Sequence, residues 1–409
     1  MNGKDFYLIG RRLPHSLSPR IHKLYGAYGY ALRELEPDEV AEYVLEKNYD
    51  GLNVTIPYKK RVCGLMDELS ETAERTGVVN TVVKNGDRLK GYNTDYAGFE
   101  YLLKSEGIEL CGKRIAILGD GGAAATVKTA AYDKKAASVT VFGHGAIENG
   151  IMCEADILIN CTPVGMYPLT AYSPTNLNCV KGVEIVIDTI YNPLKTRLLQ
   201  DAESRGLKTV CGLKMLAAQA KASAELFTGA AIADEKINEA YTKLLSEIRN
   251  IVLIGMGGSG KTVIAAALGN KTGREVIDID AEAGKIKGKK AGEIISEEGE
   301  AEFRRVEKQI ILSLENRRGS IIATGGGAVI DAENAASLKG SGLFVYIDCP
   351  PEKIAYAGRP LYPDYETALK VYKGRRRVYE KLADIIVKND HTKTIEETAE
   401  ELINEITCY

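Results

Sequence analysis

Residues Ile251–Leu268 read IVLIGMGGSGKTVIAAAL. The opening apolar run suits a short buried strand, and the alanine-rich end suits a helix. Between them, Gly255 to Thr262 matches G-x-x-x-x-G-K-[ST] in full. Glycines let backbone N–H groups turn inward on phosphate oxygens, and a helix N-terminus adds its positive dipole end. Gly257, Gly258, Ser259, Gly260, Lys261 and Thr262 are therefore expected to hold a nucleoside triphosphate. Lys261 would neutralise the β/γ-phosphates and Thr262 would ligate Mg²⁺. Such a loop usually follows the first strand of its domain. Here it follows 250 residues of other sequence, which therefore read as a separate protein.

A chain of 409 residues suggests two or three domains. Its 45% apolar and 27% charged residues are those of a globular protein. A net charge of −3 gives no strong pull toward nucleic acid or an anionic membrane. No apolar run reaches the roughly 18 residues that span a bilayer. The start, MNGKDFYLIGRRLPHS, is not expected to act as a signal peptide. The eight cysteines form no C-x-x-C pair, so they are expected to be reduced thiols in a cytoplasmic chain. The implied partners are small molecules.

Three blocks follow one another. The runs DFYLIG, YALRELE and DGLNVTIP alternate with helical stretches, and Asn85-Gly86 reads as a hairpin turn. RIAILGDGG, SVTVFG, ADILINC and EIVIDTI are unbroken apolar runs suited to a parallel sheet buried on both faces. LKMLAAQAKASAELFTG is a helix stopped at Gly229, and a polar, helix-favouring connector leads to the third block. There, IVLI, EVIDID, SIIATGGG, LFVYID and DIIV alternate with helical segments, which implies another parallel sheet.

Asp278 and Asp280 close the run VIDID, at the carboxyl end where parallel sheets place ligands. Read as strand residues they share a face, so one carboxylate could hold metal and the other orient a hydroxyl as base. Gly325–Gly327 permit close backbone approach to a ligand. Arginines at 304, 359 and 375 suit an anionic acceptor. With G-E-x-x-F-R-x-x-E, R-P-L and R-x-x-x-Y-E, these features resemble shikimate kinase over the last 160 residues. The resemblance implies Asp280 as base and Asp278 beside the metal. It places Arg304, Arg375, Gly326 and Gly327 on shikimate, and Arg359 on a lid over ATP. The stretch KIAYAGRPLYP lacks a further arginine that this family usually shows before R-P-L.

In the front block, AILGDGGAAATV carries G-x-G-x-x-A at Gly119, Gly121 and Ala124. A dinucleotide site also needs a ribose reader after the next strand, an acid for NAD or an arginine for NADP. Gly143-His144 stands there and is neither. Asp120 is expected to face the pyrophosphate. On the substrate side, Ser16 and Ser18 would share one face of an extended chain. Thr55 and Asn80 suit a polyhydroxylated acid. Lys59 with Asp95 suits carbonyl reduction, since an ammonium can stabilise the growing alkoxide and supply its proton.

S-x-S, N-V-T-I-P-Y-K, V-N-T, G-Y-N-T-D, N-x-T-P-V-G-M and G-L-x-M-L-x-x-Q-A together resemble shikimate dehydrogenase over the first 240 residues. That implies Lys59 and Asp95 as the catalytic pair. It places Ser16, Ser18, Thr55, Asn80, Asn93, Tyr191 and Gln219 on substrate, and Gly119, Gly121, Gly122, Ala123, Thr162 and Met166 along NADP(H). The family usually has Asn-Arg where Gly143-His144 stands, and NAD is not excluded. The implied fold is α/β throughout: a dehydrogenase with an α/β substrate domain and a Rossmann-like nucleotide domain, then a P-loop nucleoside-monophosphate-kinase-like parallel sheet. Expected boundaries are 1–100 completed by 212–235, 101–211, a linker at 236–249, and 250–409. The implied function is reduction of 3-dehydroshikimate followed by ATP-dependent phosphorylation of the shikimate formed. Two rivals use the same residues: a working kinase fused to a dehydrogenase-like ligand sensor, or two enzymes acting on other hydroxy acids such as quinate.

Overall fold

The structure, a computed structural model, describes residues 5–14, 16–148, 150–354 and 360–408. The chain forms two compact units, Met1–Leu244 and Leu245–Tyr409.

The first unit opens with six strands: β1 (Asp5–Gly10), β2 (Gly29–Glu34), β3 (Gly51–Val54), β4 (Glu68–Leu69), β5 (Thr81–Asn85) and β6 (Arg88–Tyr92). Their order is β2-β1-β3-β5-β6-β4. β5 and β6 form an antiparallel hairpin with Asn85 opposite Arg88, and Gly86 takes φ +59° in its turn. Ile9, Val40, Leu52, Val82 and Leu89 form the core on this sheet. Each such side chain removed from water stabilises the fold by about 1.5–3 kcal/mol.

A second sheet follows: β7 (Arg114–Leu118), β8 (Ser138–Phe142), β9 (Cys153–Glu154), β10 (Ile157–Asn160), β11 (Val180–Lys181), β12 (Ile185–Asp188) and β13 (Lys208–Cys211). The main sheet has order β13-β12-β10-β7-β8, and β9 pairs only with β11. It is parallel throughout. Ile115, Ile117, Ile157 and Ile159 pack into one cluster while Ala116, Leu118, Leu158 and Val186 pack into another. The unbroken apolar runs thus cover both faces, as a parallel sheet requires. Between β8 and β10 the described residues form a five-residue helix, His144–Glu148, and the short strand β9.

The helix Leu213–Thr228 returns the chain to the first sheet, where Phe227 stacks on Phe6 with ring centroids 4.3 Å apart. Its neighbour is the helix Thr94–Ser105. A Cβ at Gly98 would lie 2.6 Å from the Met215 carbonyl, so glycine lets these two helices close up. The next helix, Glu235–Ile248, contains the passage from one unit to the other.

The second unit has one parallel sheet of β14 (Asn250–Ile254), β15 (Val276–Asp278), β16 (Ile321–Ala323), β17 (Gly342–Asp348) and β18 (Ile385–Lys388). Its order is β15-β16-β14-β17-β18, with β14 central and fully buried. The glycine-rich turn leaves the carboxyl end of this central strand, and the helix Lys261–Thr272 follows.

Two local expectations are corrected. VIDID is not one strand. β15 ends at Asp278, whose carboxylate accepts from Ala281 N at 3.1 Å and so starts the helix Ile279–Lys287. Asp280 lies in that helix's first turn, and the two carboxylates share no strand face. Ser16 and Ser18 do not share an extended face either. Pro19 favours a helix start, Ser18 opens the helix Ser18–Tyr25, and Ser16 Oγ accepts from Ser18 N at 3.2 Å.

Candidate active sites

The phosphate loop of the second unit needs its glycines. Gly255, Gly258 and Gly260 have φ of +137°, +85° and +91°, a region closed to most side chains. Asn389, after β18, donates to Ser259 O at 2.9 Å and steadies the loop from outside. Lys261 is buried, its ammonium 2.9 Å from Gly255 O and 2.7 Å from Met256 O. Thr262 Oγ1 donates to Asp278 Oδ2 at 2.6 Å. A hydroxyl and a carboxylate beside a phosphate loop are hard oxygen donors that fit Mg²⁺. No group of three or more His, Cys, Asp or Glu gathers among the described residues. Thr262 and Asp278 are the residues that would hold such an ion.

The acceptor side lies beyond β16. A Cβ at Gly325 would stand 2.6 Å from Asp280 Oδ1 and 2.5 Å from Glu307 Oε1. A Cβ at Gly326 would stand 2.5 Å from Gly257 N, so the glycine run is wedged against the phosphate loop. Arg375 Nη1 and the Tyr379 hydroxyl both donate to Gly326 O. Arg304 donates to Glu307 Oε2 at 2.6 Å and to Glu300 Oε1 at 3.0 Å. Asp280, Arg304, Gly326, Gly327 and Arg375 therefore converge on one face next to the loop. Arg359 lies outside the described residues.

Glu307 was not singled out from sequence. Burial raises its pKa, an effect the Arg304 charge opposes, and its Oε1 accepts no hydrogen bond. Its signal was its place as the last residue of G-E-x-x-F-R-x-x-E, three residues from Arg304 on one helix. Tyr379 is likewise the tyrosine of R-x-x-x-Y-E, whereas Asn389 lies in none of the motifs.

In the first unit, Lys59 opens the short helix Lys59–Cys63 just after β3, and Asp95 lies in the first turn of Thr94–Ser105. The sequence separates them by 36 residues, yet Lys59 Nζ donates to Asp95 Oδ2 at 2.5 Å. Their side chains are 16% and 9% exposed. A pair so placed is held rigidly but still reachable.

Asn80 Oδ1 accepts from Thr94 N at 2.7 Å and so ties β5 to that same helix. Gln219, on Leu213–Thr228, puts Oε1 3.4 Å from Thr94 Oγ1 and 3.5 Å from Asn80 Nδ2. Behind them Asn53 donates to Thr81 and Ser223, each at 2.9 Å, and accepts from Tyr30 at 2.7 Å. This buried network fixes the polar rim of the cleft. Thr55 continues from β3, its N donating to Ile9 O at 2.9 Å. Asn93 is buried like Asn80, its amide bridging Thr76 and Thr126 at 2.9 Å each. Tyr191 follows β12 and is half-buried.

The glycine turn meets this cleft directly. A Cβ at Gly122 would lie 3.2 Å from Lys59 Cδ, so the turn passes close over that lysine. Gly119 has φ +103° and abuts Cys161. Around Gly121 a Cβ would meet no atom within 4 Å, leaving the approach open to a pyrophosphate. Ala123 follows in the first turn of Gly122–Asp133. Thr162 Oγ1 is taken up by Asn160 Oδ1 at 2.8 Å, while Met166 is exposed on the loop beyond. One expectation fails here. Asp120 does not face the open turn; its Oδ2 lies 3.0 Å from where a Cβ at Gly143 would be. The turn at Gly119 carries the carboxylate sideways, toward the end of β8.

Known proteins resemble this chain in sequence and in fold. The first unit is 33% identical over 268 residues to a shikimate dehydrogenase (NADP(+)) of Clostridium perfringens, covering 59% of this chain and 98% of that protein. The chain belongs to the shikimate dehydrogenase family. Residues 8–82 match the shikimate dehydrogenase substrate binding domain, and residues 257–407 match shikimate kinase. One chain therefore carries both. A shikimate dehydrogenase (NADP(+)) of Caldicellulosiruptor saccharolyticus is 39% identical over 250 residues, covering 53% of this chain and 89% of that one. Among solved structures, a chorismate mutase/shikimate 5-dehydrogenase fusion from Clostridium acetobutylicum superposes with TM-score 0.55 at 34% identity, over 60% of this chain and 98% of that one. A shikimate 5-dehydrogenase from Thermus thermophilus, in complex with NADP(H) and shikimate, gives 0.52 at 29% identity, over 59% and 99%.

Proposed function

We propose that the chain is a bifunctional shikimate-pathway enzyme. Its dehydrogenase unit reduces 3-dehydroshikimate to shikimate with NADP(H), and its kinase unit phosphorylates the 3-hydroxyl of shikimate with Mg·ATP. The observation that carries the reductive half is the Lys59–Asp95 contact at 2.5 Å against the glycine turn. A ligand sensor needs no such pair.

The dinucleotide supplies the hydride when bound. Lys59 faces the oxygen on which negative charge grows, stabilises it, and gives it the proton. Asp95 holds the ammonium in place. Asn80 and Gln219 fix the hydroxyls, with Ser16, Ser18, Thr55 and Tyr191 completing the pocket. In the kinase unit, Thr262 and Asp278 would hold Mg²⁺, which would offset phosphate charge. Lys261 exchanges its two carbonyl contacts for phosphate oxygens. Arg304 and Arg375 grip the substrate carboxylate, and Asp280 accepts the 3-hydroxyl proton. Arg359 belongs to the ATP side. No helix of the described residues is long and apolar enough to cross a membrane. The proposed partners are small molecules and the proposed location is cytoplasmic, in keeping with a biosynthetic enzyme.

Initial rates over a substrate panel test the assignment. Reduction is expected for 3-dehydroshikimate above 3-dehydroquinate, and phosphoryl transfer to shikimate above quinate. Preference for the quinate series in either half would overturn that half's substrate.

A further inference from the structure

We infer that Asp120 sets the dinucleotide preference of the dehydrogenase unit: its carboxylate acts as the ribose reader and lets NADH compete with NADPH. The inference rests on the dehydrogenase reading of that unit. In a sheet of this kind, the residue just past the strand beside the glycine turn meets the adenosine ribose. An acid there accepts from the 2′- and 3′-hydroxyls of NAD(H). An arginine there pairs with the 2′-phosphate of NADP(H).

In this chain the strand is β8, and its last residue, Phe142, pairs with Leu118 of β7. Gly119 and Gly143 therefore leave the two strands side by side, joined by Gly119 N to Phe142 O at 2.8 Å. Gly143 has no side chain with which to read anything. Asp120 reaches across instead: a Cβ at 143 would meet Asp120 Oδ2 at 3.0 Å, Cγ at 3.6 Å and Cβ at 3.8 Å. The carboxylate occupies the space that a side chain at 143 would use. The acid comes from the glycine turn rather than from the next strand, but it arrives at the same corner.

No lysine or arginine follows β8 within GHGAIENG to offset it. The cation at this turn is Lys60, whose Nζ donates to the Asp120 backbone carbonyl at 2.8 Å and so holds the loop. His144 begins the next short helix. A 2′-phosphate placed at this corner meets a like charge, whereas ribose hydroxyls meet an acceptor.

Two measurements on the full chain test this: kcat/KM for NADPH and NADH with 3-dehydroshikimate, and the Kd of each dinucleotide by fluorescence titration without substrate. Wild type, Asp120→Ala and Asp120→Asn are compared. Wild type is expected to use both dinucleotides within about tenfold of each other. Asp120→Ala is expected to raise the NADPH/NADH ratio by about tenfold or more in both measurements, the scale of one like-charge contact near a surface. Asp120→Asn removes the charge but keeps an acceptor, so NADPH should gain while NADH loses little. Equal ratios in all three proteins would overturn the inference, as would undetectable binding of either dinucleotide. Binding ratios that shift as stated without turnover would uphold it and instead refute the catalytic reading of the unit.

Discussion

At the scale of single residues, the proposed function assigns each reaction one proton carrier. In the dehydrogenase unit the proposed carrier is Lys59, whose ammonium Asp95 holds at 2.5 Å. Lys59→Ala should cut kcat for reduction by about 10²–10⁴, the usual worth of a positioned acid. The Kd for shikimate should change far less, because Asn80 and Gln219 remain. Stopped-flow absorbance with a parallel binding titration separates the two, and an unchanged kcat would remove Lys59 from the chemistry. In the kinase unit, Asp280→Asn should lower kcat by a similar about 10²–10⁴ while thermal stability holds. If ATP consumption with shikimate persists at the wild-type rate, Asp280 is not the base. The motifs made these residues visible in the sequence. Orientation was not visible. Asp280 turned from strand residue to helix residue because Asp278, the last residue of β15, accepts from Ala281 N and caps a helix there. Asp120 turned from pyrophosphate to ribose corner because Gly119 adopts φ +103°. Neither choice is written in a period of two or 3.6.

At the scale of elements, the apolar runs foretold the strands well, since β10, β12 and β14 bury nearly every residue. The edge strand β2 was read from YALRELE although it is largely exposed. Glycine contacts give a sharp prediction. Gly326→Ala sets a methyl 2.5 Å from Gly257 N and should abolish phosphoryl transfer while reduction continues. Normal kinase activity in that variant would show that the wedge between β16 and the phosphate loop can open freely.

Two buried groups of the first unit oppose each other in acid. Burial lowers the His22 pKa to about 3, so below pH 6.5 the unfolded chain binds a proton that the native one refuses. Its contribution is lost as pH falls from 6.5 toward 3. Burial raises Asp188 to about 6, against hydrogen bonds from Thr196, Ile190 N and Asn160. Between pH 6 and about 4 the native state holds that proton, so acid stabilises through Asp188. The slopes nearly cancel there. Asp188→Asn should therefore steepen the loss of stability between pH 6 and 4, by up to about 1.4 kcal/mol per pH unit. His22→Gln should flatten it. Urea unfolding at several pH values reads both, and identical slopes in all three proteins would refute the account.

At the scale of the whole molecule, the chain joins a reaction that makes a hydroxyl to one that phosphorylates it. No sheet is shared between the units, and each has its own glycine turn and its own core. The most direct test supplies 3-dehydroshikimate, NADPH and Mg·ATP together and follows ³¹P resonances and cofactor absorbance in one tube. Wild type should convert the substrate to shikimate 3-phosphate with one NADPH and one ATP consumed per product. Lys59→Ala should halt before reduction yet still phosphorylate added shikimate, and Lys261→Ala should accumulate shikimate. Oxidation of NADPH without any phosphorylated product in the wild type, or phosphorylation of the keto acid itself, would contradict the two-reaction account.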